Sequence, residues 1–390
     1  MQKSVKLAIN AFPQVPTAIQ HPSDPKKAVD HLRVDLADLY HHYYLNSWDC
    51  APPDPDPAHF EQVRYLLPCA DFRFQRGGMG ANKTFKGNKS NELGEAFCRW
   101  FLDKALGIAH VAPIDAVRDH GALADHGGVS VGSDTDVTGD APDFFCAEAD
   151  GSISLAEAKG TRHAVGFTAK EFQRWRNQFK RVRVLDAHSQ PMSVKGYIVA
   201  MRWATEKDSA RTFTKLSAED PRTPGERPFF DEGGSFAAAI RSLHYAPTLR
   251  RLRQPILSAA LAHGSVITDE LQFQVVVWES FLPQLKGLRF VGGYFPSNPE
   301  GGLPYYLKDG TVVMTPRDPF RLDIGSGTFV GVEQTIFKTL VSAARTGPTA
   351  INDLRLLDPP DTGYSGASLL RDGHILGPIE LFRPVDVATF

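Results

Sequence analysis

The sequence predicts a mixed α/β protein whose central unit, at about 88–205, runs helix, strand, β-hairpin, helix, strand. Three observations predict it. Amphipathic helical periods at 90–106 and 167–186 bracket the unit, an Ala149-Asp150-Gly151 turn joins two short apolar runs between them, and an apolar segment, 195–203, follows. A mainly helical region, 1–87, precedes the unit and a mixed α/β region, 206–390, follows it. A chain of 390 residues has room for several such cores.

In order, Asp24-Pro25 opens a predicted helix reaching Tyr44, and the proline-rich stretch 52–60 is a rigid connector into a second helix at 59–67. Within it His41 and His42 are adjacent, so they do not share a helix face, and packing is the expected role. The segment 77–90, GGMGANKTFKGNKS, superficially resembles a phosphate-binding loop. Asn82 stands where the pattern needs glycine and Gly87 interrupts the helix that should follow, so it reads instead as a flexible basic loop. Its Lys83, Lys86 and Lys89 are expected to contact a nucleic-acid backbone.

The helix at 90–106 carries Leu93, Phe97, Trp100, Phe101 and Leu106 on one stripe and stops at Gly107. A first core strand is expected at 111–120, then a loop to 140 in which Asp134 and Asp136 read as a turn. In the hairpin Gly151 fits the left-handed position of a three-residue loop, so Glu148 pairs with Ser152 and Asp143 falls opposite Glu157. Lys159, two residues on, projects from the same face. Two carboxylates and an ammonium therefore meet, and two converging anions call for a cation; hard oxygen donors favour Mg²⁺.

The helix expected at 167–186 buries Phe172, Trp175, Phe179 and Val182 and holds the densest positive charge in the chain, including Lys170, Arg174 and Arg176. Beyond the strand at 195–203, the polar, proline-containing 206–228 reads as a linker or mobile loop. Apolar strands, a helix at 328–344 and a closing strand at 375–387 follow.

Net charge of −2 argues against a uniformly basic surface, so a nucleic-acid site must be local. The scattered Cys50, Cys69, Cys98 and Cys146 form no CxxC pair and read as reduced thiols. No apolar run spans a membrane and no signal peptide is apparent, so a cytoplasmic location is expected.

Pro142-Asp143 followed by Glu157-Ala158-Lys159 resembles the motif of the PD-(D/E)xK nuclease superfamily, and the order of elements across 88–205 resembles its restriction-endonuclease-like α-β-β-β-α-β core. The resemblance implies a Mg²⁺-dependent endonuclease, with Mn²⁺ able to substitute. In it Asp143, Glu157 and the Ala158 carbonyl hold the metal, Lys159 is the catalytic lysine, Glu95 on the preceding helix adds a carboxylate, with Glu92 close behind, and Gln173, favoured over Gln178, assists from the following helix. DNA is the expected substrate, although phosphodiester chemistry alone does not distinguish it from RNA. The flanking regions suggest target recognition, dimerisation or a partner bound through 206–390. Three roles follow: a restriction enzyme, a partner-gated defence or mobile-element effector, or an inactive nucleic-acid-binding scaffold.

Overall fold

A computed structural model describes residues 2–47, 65–80, 82–119, 129–134, 136–137, 139–186, 188–223, 229–230, 234–295, 302–306, 312–316, 327–360, 362 and 366–390. The proline-rich connector at 52–60, most of the helix expected at 59–67, and Cys50 lie outside the described residues.

The central sheet combines β1 (Gln2–Asn10), β2 (His31–Asp35), β3 (His110–Pro113), β4 (Phe144–Ala147), β5 (Ser152–Thr161), β6 (Lys195–Arg202) and β7 (Lys215–Glu219). Their order across the sheet is β2-β1-β7-β6-β5-β4-β3. β5 pairs in parallel with β6 and β1 in parallel with β7; the other adjacent pairs are antiparallel. Short apolar runs such as Phe144-Phe145-Cys146-Ala147 are buried on both faces of the sheet, so they lack polar alternation.

Helix α1 (Leu36–Ser47) and the long α2 (Lys83–Leu106) belong to one face, where Leu93, Ala96 and Phe97 meet Ala156, Ala158 and Val199. The other face is covered by α3 (Lys170–Gln178) and α4 (Ser235–Arg251), through Phe172, Trp175, Phe236 and Ile240 against Leu155 and Ile198. The elements α2, β3, β4, β5, α3 and β6 follow one another in the expected order.

Several boundaries differ from expectation. The described part of the N-terminal region is not mainly helical: 24–35 forms the strands Asp24–Ala28 and His31–Asp35, and α1 is the one α-helix among the described residues before Lys83. Alternation in His31-Leu32-Arg33-Val34 outweighs the helix signal at Asp24-Pro25, because it buries Leu32 and Val34 against β1. The basic stretch 83–89 is not a loop but the opening turns of α2. Asn82 caps it, its Oδ1 accepting the Phe85 N–H at 2.9 Å, and the helix tolerates Gly87. The first core strand stops at Pro113 and a short helix, Ile114–Asp119, replaces its second half. α3 ends at Gln178 and the β-branched Val182–Leu185 pairs as a strand with Ser130–Ser133.

The largest difference is at 206–228, which contains a central strand instead of a linker. β7 lies between β1 and β6, with Leu216 and Ala218 buried. Its polar residues hide it in the sequence, yet they are paired: Glu219 accepts both Arg176, at 2.8 Å, and Asn10, at 2.5 Å.

The C-terminal region builds a second sheet from β8 (Gln274–Ser280), β9 (Arg289–Phe295), β10 (Thr328–Glu333), β11 (Ser368–Leu369), β12 (His374–Pro378) and β13 (Phe382–Thr389), ordered β11-β12-β10-β9-β8-β13. The helix expected at 328–344 begins with β10 and becomes α6 (Gln334–Thr346), and the single closing strand is two, β12 and β13. α4 joins the two layers: Phe236 and Ile240 face the central sheet while Tyr245 and Leu249 face α5 (Pro255–His263) and the second sheet.

Candidate functional site

The hairpin forms as its turn chemistry requires. Gly151 has φ +85°, and the Glu148 N–H donates to the Ser152 carbonyl at 2.9 Å. Phe144 pairs with Ala156, which carries the register on to Asp143 beside Glu157. The Asp143 N–H reaches the Ala156 carbonyl at 3.1 Å and the Ala158 N–H donates to Asp143 Oδ2 at 2.7 Å, so both ends of Asp143 are fixed on β5. Ala158 thus orients a carboxylate through its N–H, a contact beyond the carbonyl role that the resemblance implies.

Glu157 is fully buried, whereas about a quarter of the Lys159 side chain remains exposed, at 26%, so the cluster opens to solvent at the lysine. The Lys159 ammonium lies against Glu157 Oε1. Neither Glu157 oxygen otherwise has a well-formed hydrogen bond among the described residues. Burial, and then the Asp143 charge, push the Glu157 carboxyl well above its ordinary range; burial also raises Asp143, against the pull of Lys159. For Lys159 burial opposes the ammonium, but Glu157 and Asp143 outweigh it, and its pKa rises.

Glu95 enters from α2. Burial raises its pKa, Asn46 Nδ2 donates to its Oε2 at 2.6 Å, and the Asp143 charge raises it further, which puts Glu95 within the electrostatic reach of the cluster. A pair of glycines explains the approach. A Cβ on Gly94 would stand 2.8 Å from the Gly160 nitrogen, and one on Gly160 would collide with the Ser90 carbonyl, so α2 rests on β5 backbone directly beside Lys159 and Glu95. Glu92, the other acidic residue considered on this helix, pairs with Lys89 at 3.0 Å and accepts the Tyr43 hydroxyl at 3.2 Å.

The remaining expected residues divide. Gln173 is exposed on α3, and its Oε1 accepts Arg176 at 3.2 Å; Gln178 donates to the Ala141 carbonyl at 3.3 Å, nearer the approach to Asp143. Arg176 is not a free phosphate ligand: it forms a two-pronged ion pair with the buried Glu219 and also donates to the Phe167 carbonyl. Lys170, Arg174 and Lys83 are exposed. Lys86 lines a cavity of about 310 Å³ together with Arg162, His163 and Lys207, just past the end of β5 and three residues beyond Lys159 at the closest. The spacing in the sequence does not reveal Arg162 and Lys207, because the cavity gathers them from three separate segments.

A second polar cluster has no counterpart in the sequence reading. His244 Nε2 lies 2.7 Å and His374 Nδ1 2.9 Å from Asp372 Oδ2. These are the only three residues among those described whose ligand-type atoms all lie within 4.8 Å of one another. Their second nitrogens are also engaged, His244 Nδ1 by the Val111 N–H at 3.2 Å and His374 Nε2 by Thr248 Oγ1 at 2.8 Å. One neutral tautomer of each ring is compatible with these contacts, although His374 Nδ1 faces Asp372 without a well-formed hydrogen bond. The separation of 128 positions between His244 and Asp372 hides it from any motif search. His41, next to this network, donates to or accepts from Ser368 Oγ at 3.1 Å, and His42 faces Asp103 at 3.5 Å, in keeping with a packing role.

Asp134 and Asp136 form a turn, the Asp136 N–H donating to Asp134 Oδ1 at 2.9 Å, and Cys69, Cys98 and Cys146 are free thiols. No helix among the described residues is long and apolar enough to cross a membrane. Comparison with models of known protein families, with curated proteins and with solved structures returned no match, so the carboxylate and lysine geometry itself carries the functional reading.

Proposed function

We propose that the chain is a divalent-cation-dependent nuclease hydrolysing phosphodiester bonds, with Mg²⁺ as the cation and DNA as the substrate. The observation that carries this reading is Glu157: a fully buried carboxylate beside a second one, Asp143, with a lysine ammonium as its close countercharge. A protein that needed only a stable sheet has no use for such a pair, since burying two like charges costs several kcal/mol or forces one of them to keep its proton. A hard cation relieves the same repulsion, and the carboxylates of Asp143, Glu157 and Glu95 supply the oxygen donors it prefers.

The residues fit the ion, and the roles follow from their positions. Asp143 and Glu157 would hold it, and Glu95 would join through its place on α2. When bound, Mg²⁺ supplies Lewis acidity to a phosphoryl oxygen and to an attacking water. Lys159, whose carboxylate neighbours keep it protonated at neutral pH, suits donating a hydrogen bond to a phosphate oxygen or orienting water more than removing a proton. The cavity of Lys86, Arg162 and Lys207, lined in part by residues that directly follow β5, would suit a backbone phosphate. The order α-β-β-β-α-β around the hairpin also supports the restriction-endonuclease-like reading.

The test is incubation of wild-type and Lys159→Ala protein with plasmid, linear duplex and single-stranded DNA and RNA, in Mg²⁺, Mn²⁺ or EDTA. Cleavage that needs the metal and disappears in a folded Lys159→Ala protein supports the reading; cleavage at the wild-type rate in that variant sinks it.

A further inference from the structure

Between α1, α2, β3 and α4 lies a cavity of about 250 Å³. Most of its wall is apolar, from Val111, Pro113, Leu243 and Pro247 among others. Its polar groups are few: Asn46, Arg99, His244 and, at an exposed position on the rim, Arg250. His244 is already committed to Asp372 and Val111. Arg99 is different. Its side chain is 5% exposed, yet it makes no hydrogen bond or ion pair among the described residues, and its Nε is buried without a partner. Its one close contact of note is the Phe144 ring, 5.9 Å from the guanidinium carbon.

A buried, charged guanidinium without a hydrogen-bonding partner is costly, and it is ordinarily paired. The charges around it oppose one another. Arg251 acts on it as a like charge, and Asp372 is the opposing carboxylate, itself occupied by two imidazoles. Burial lowers the Arg99 pKa only to about 10, so the guanidinium remains charged at neutral pH. An apolar chamber with a single desolvated cation at its wall matches an organic anion with a compact charged end.

We infer that this cavity is a binding site for a phosphate monoester, with the phosphate on Arg99, the Asn46 amide and Arg250 beside it, and the organic part against Val111, Leu243 and Pro247. The site shares a wall with the carboxylate cluster. Asn46 donates to Glu95, Arg99 stands one helical turn beyond Glu95 on α2, and Phe144, which follows Asp143, packs under the guanidinium. Two sources present this chemistry: the terminal phosphate of a nucleic-acid strand, which rests on the nuclease reading, and a free small phosphate ester, which does not.

The experiment is calorimetric titration of the full chain and of Arg99→Met and Ala116→Phe variants with inorganic phosphate, a nucleoside 5′-monophosphate, and an oligonucleotide with or without a 5′-phosphate. Arg99→Met removes the charge while keeping an apolar stem, and it should melt no lower than wild type. Ala116→Phe leaves Arg99 in place and fills the cavity from a half-buried position on its wall. The expected result is binding of phosphate-bearing ligands to wild type, weakened at least tenfold in both variants. Preference for the 5′-phosphorylated over the 5′-hydroxyl oligonucleotide assigns the strand end; tighter binding of the free monophosphate, with no such preference, assigns the small molecule. Absence of binding by wild type at millimolar ligand, or equal binding by all three proteins, overturns the inference. Metal-dependent plasmid cleavage by the wild-type protein is read separately from phosphate binding, so failure of the nuclease reading and failure of this one remain distinct.

Discussion

Two of the buried clusters of ionisable groups among the described residues meet the cost of buried charge in different ways. Around Asp372, one carboxylate is answered by two histidines, which a threonine and a backbone N–H engage in turn. Around Glu157, two carboxylates crowd together with one lysine; burial, and then the Asp143 charge, raise Glu157, and burial raises Asp143. A cluster whose charge is answered holds structure together, whereas one with a surplus of like charge is available for a ligand. The contrast separates a structural site from a chemical one more sharply than either composition or burial, since both clusters are deep in the protein.

The strongest way to break this contrast is to remove one member from each. Lys159→Ala or Asp143→Asn should lower metal-dependent cleavage by about 10²–10³-fold, the size of effect seen when one preorganised charge-stabilising group is lost, in protein that circular dichroism shows to be folded. His244→Ala should do the reverse: it strands the Asp372 carboxylate and costs about 3–5 kcal/mol of stability, measured by denaturant titration. Chelation should leave that stability intact, since the Asp372 carboxylate is already faced by both rings without an ion.

The two clusters should also respond oppositely to pH. His41, His110 and His374 are held below their ordinary 6.5 chiefly by burial. Below that value the unfolded chain therefore binds more protons than the folded one, and this contribution to stability is lost as pH falls. The depressed Asp372 acts in the same sense at lower pH. Glu157 lies above its ordinary 4.5, so the folded chain binds the extra proton and its contribution declines as pH rises past that value. Melting temperatures across pH 4–9 for wild type and Glu157→Gln check the sign: the variant should lose the decline on the alkaline side and keep the acid loss. Saturating Mg²⁺ should raise the wild-type melting temperature, by about 2.7 kcal/mol of stability at a hundred times the dissociation constant, and should do much less for Glu157→Gln.

Smaller effects sharpen the picture. Gly94→Ala forces a Cβ against β5 backbone and should cost about 1–3 kcal/mol, with a loss of activity as Glu95 is displaced. Lys86→Ala and Lys207→Ala should each weaken DNA binding several-fold and reduce the salt slope by about one. Arg176→Ala should instead destabilise the fold, because Glu219 loses its two-pronged partner.

What the sequence disclosed follows the range of the interactions. The hairpin was legible because its turn, its register and its three charged side chains lie within 17 residues, and local rules fix all of them. α2 was legible from its stripe and from Gly107, which has φ +73° at the C-cap, although Asn82 as N-cap was not recognised. β7 was not legible. Lys-Leu-Ser-Ala-Glu reads as polar until Arg176 and Asn10, 43 and 209 residues away, are known to meet its glutamate. The cavity at Arg99 and the Asp372 network are hidden for the same reason: each is assembled from segments that only the finished fold brings together.

The position of β7 bears on how the protein comes into being. β1 can join the sheet only through a strand that begins more than two hundred residues later, so the sheet that carries Glu157 and Lys159 depends on pairings between distant parts of the chain. Such long-range pairing is slow to form. During synthesis, the hairpin leaves the ribosome well before the strand that completes its scaffold, and a chain cut short before Glu219 has the reactive residues without the sheet that aims them. The cluster of Asp143, Glu157 and Lys159 would therefore reach its final geometry late, as a property of the finished molecule and not of its central segment.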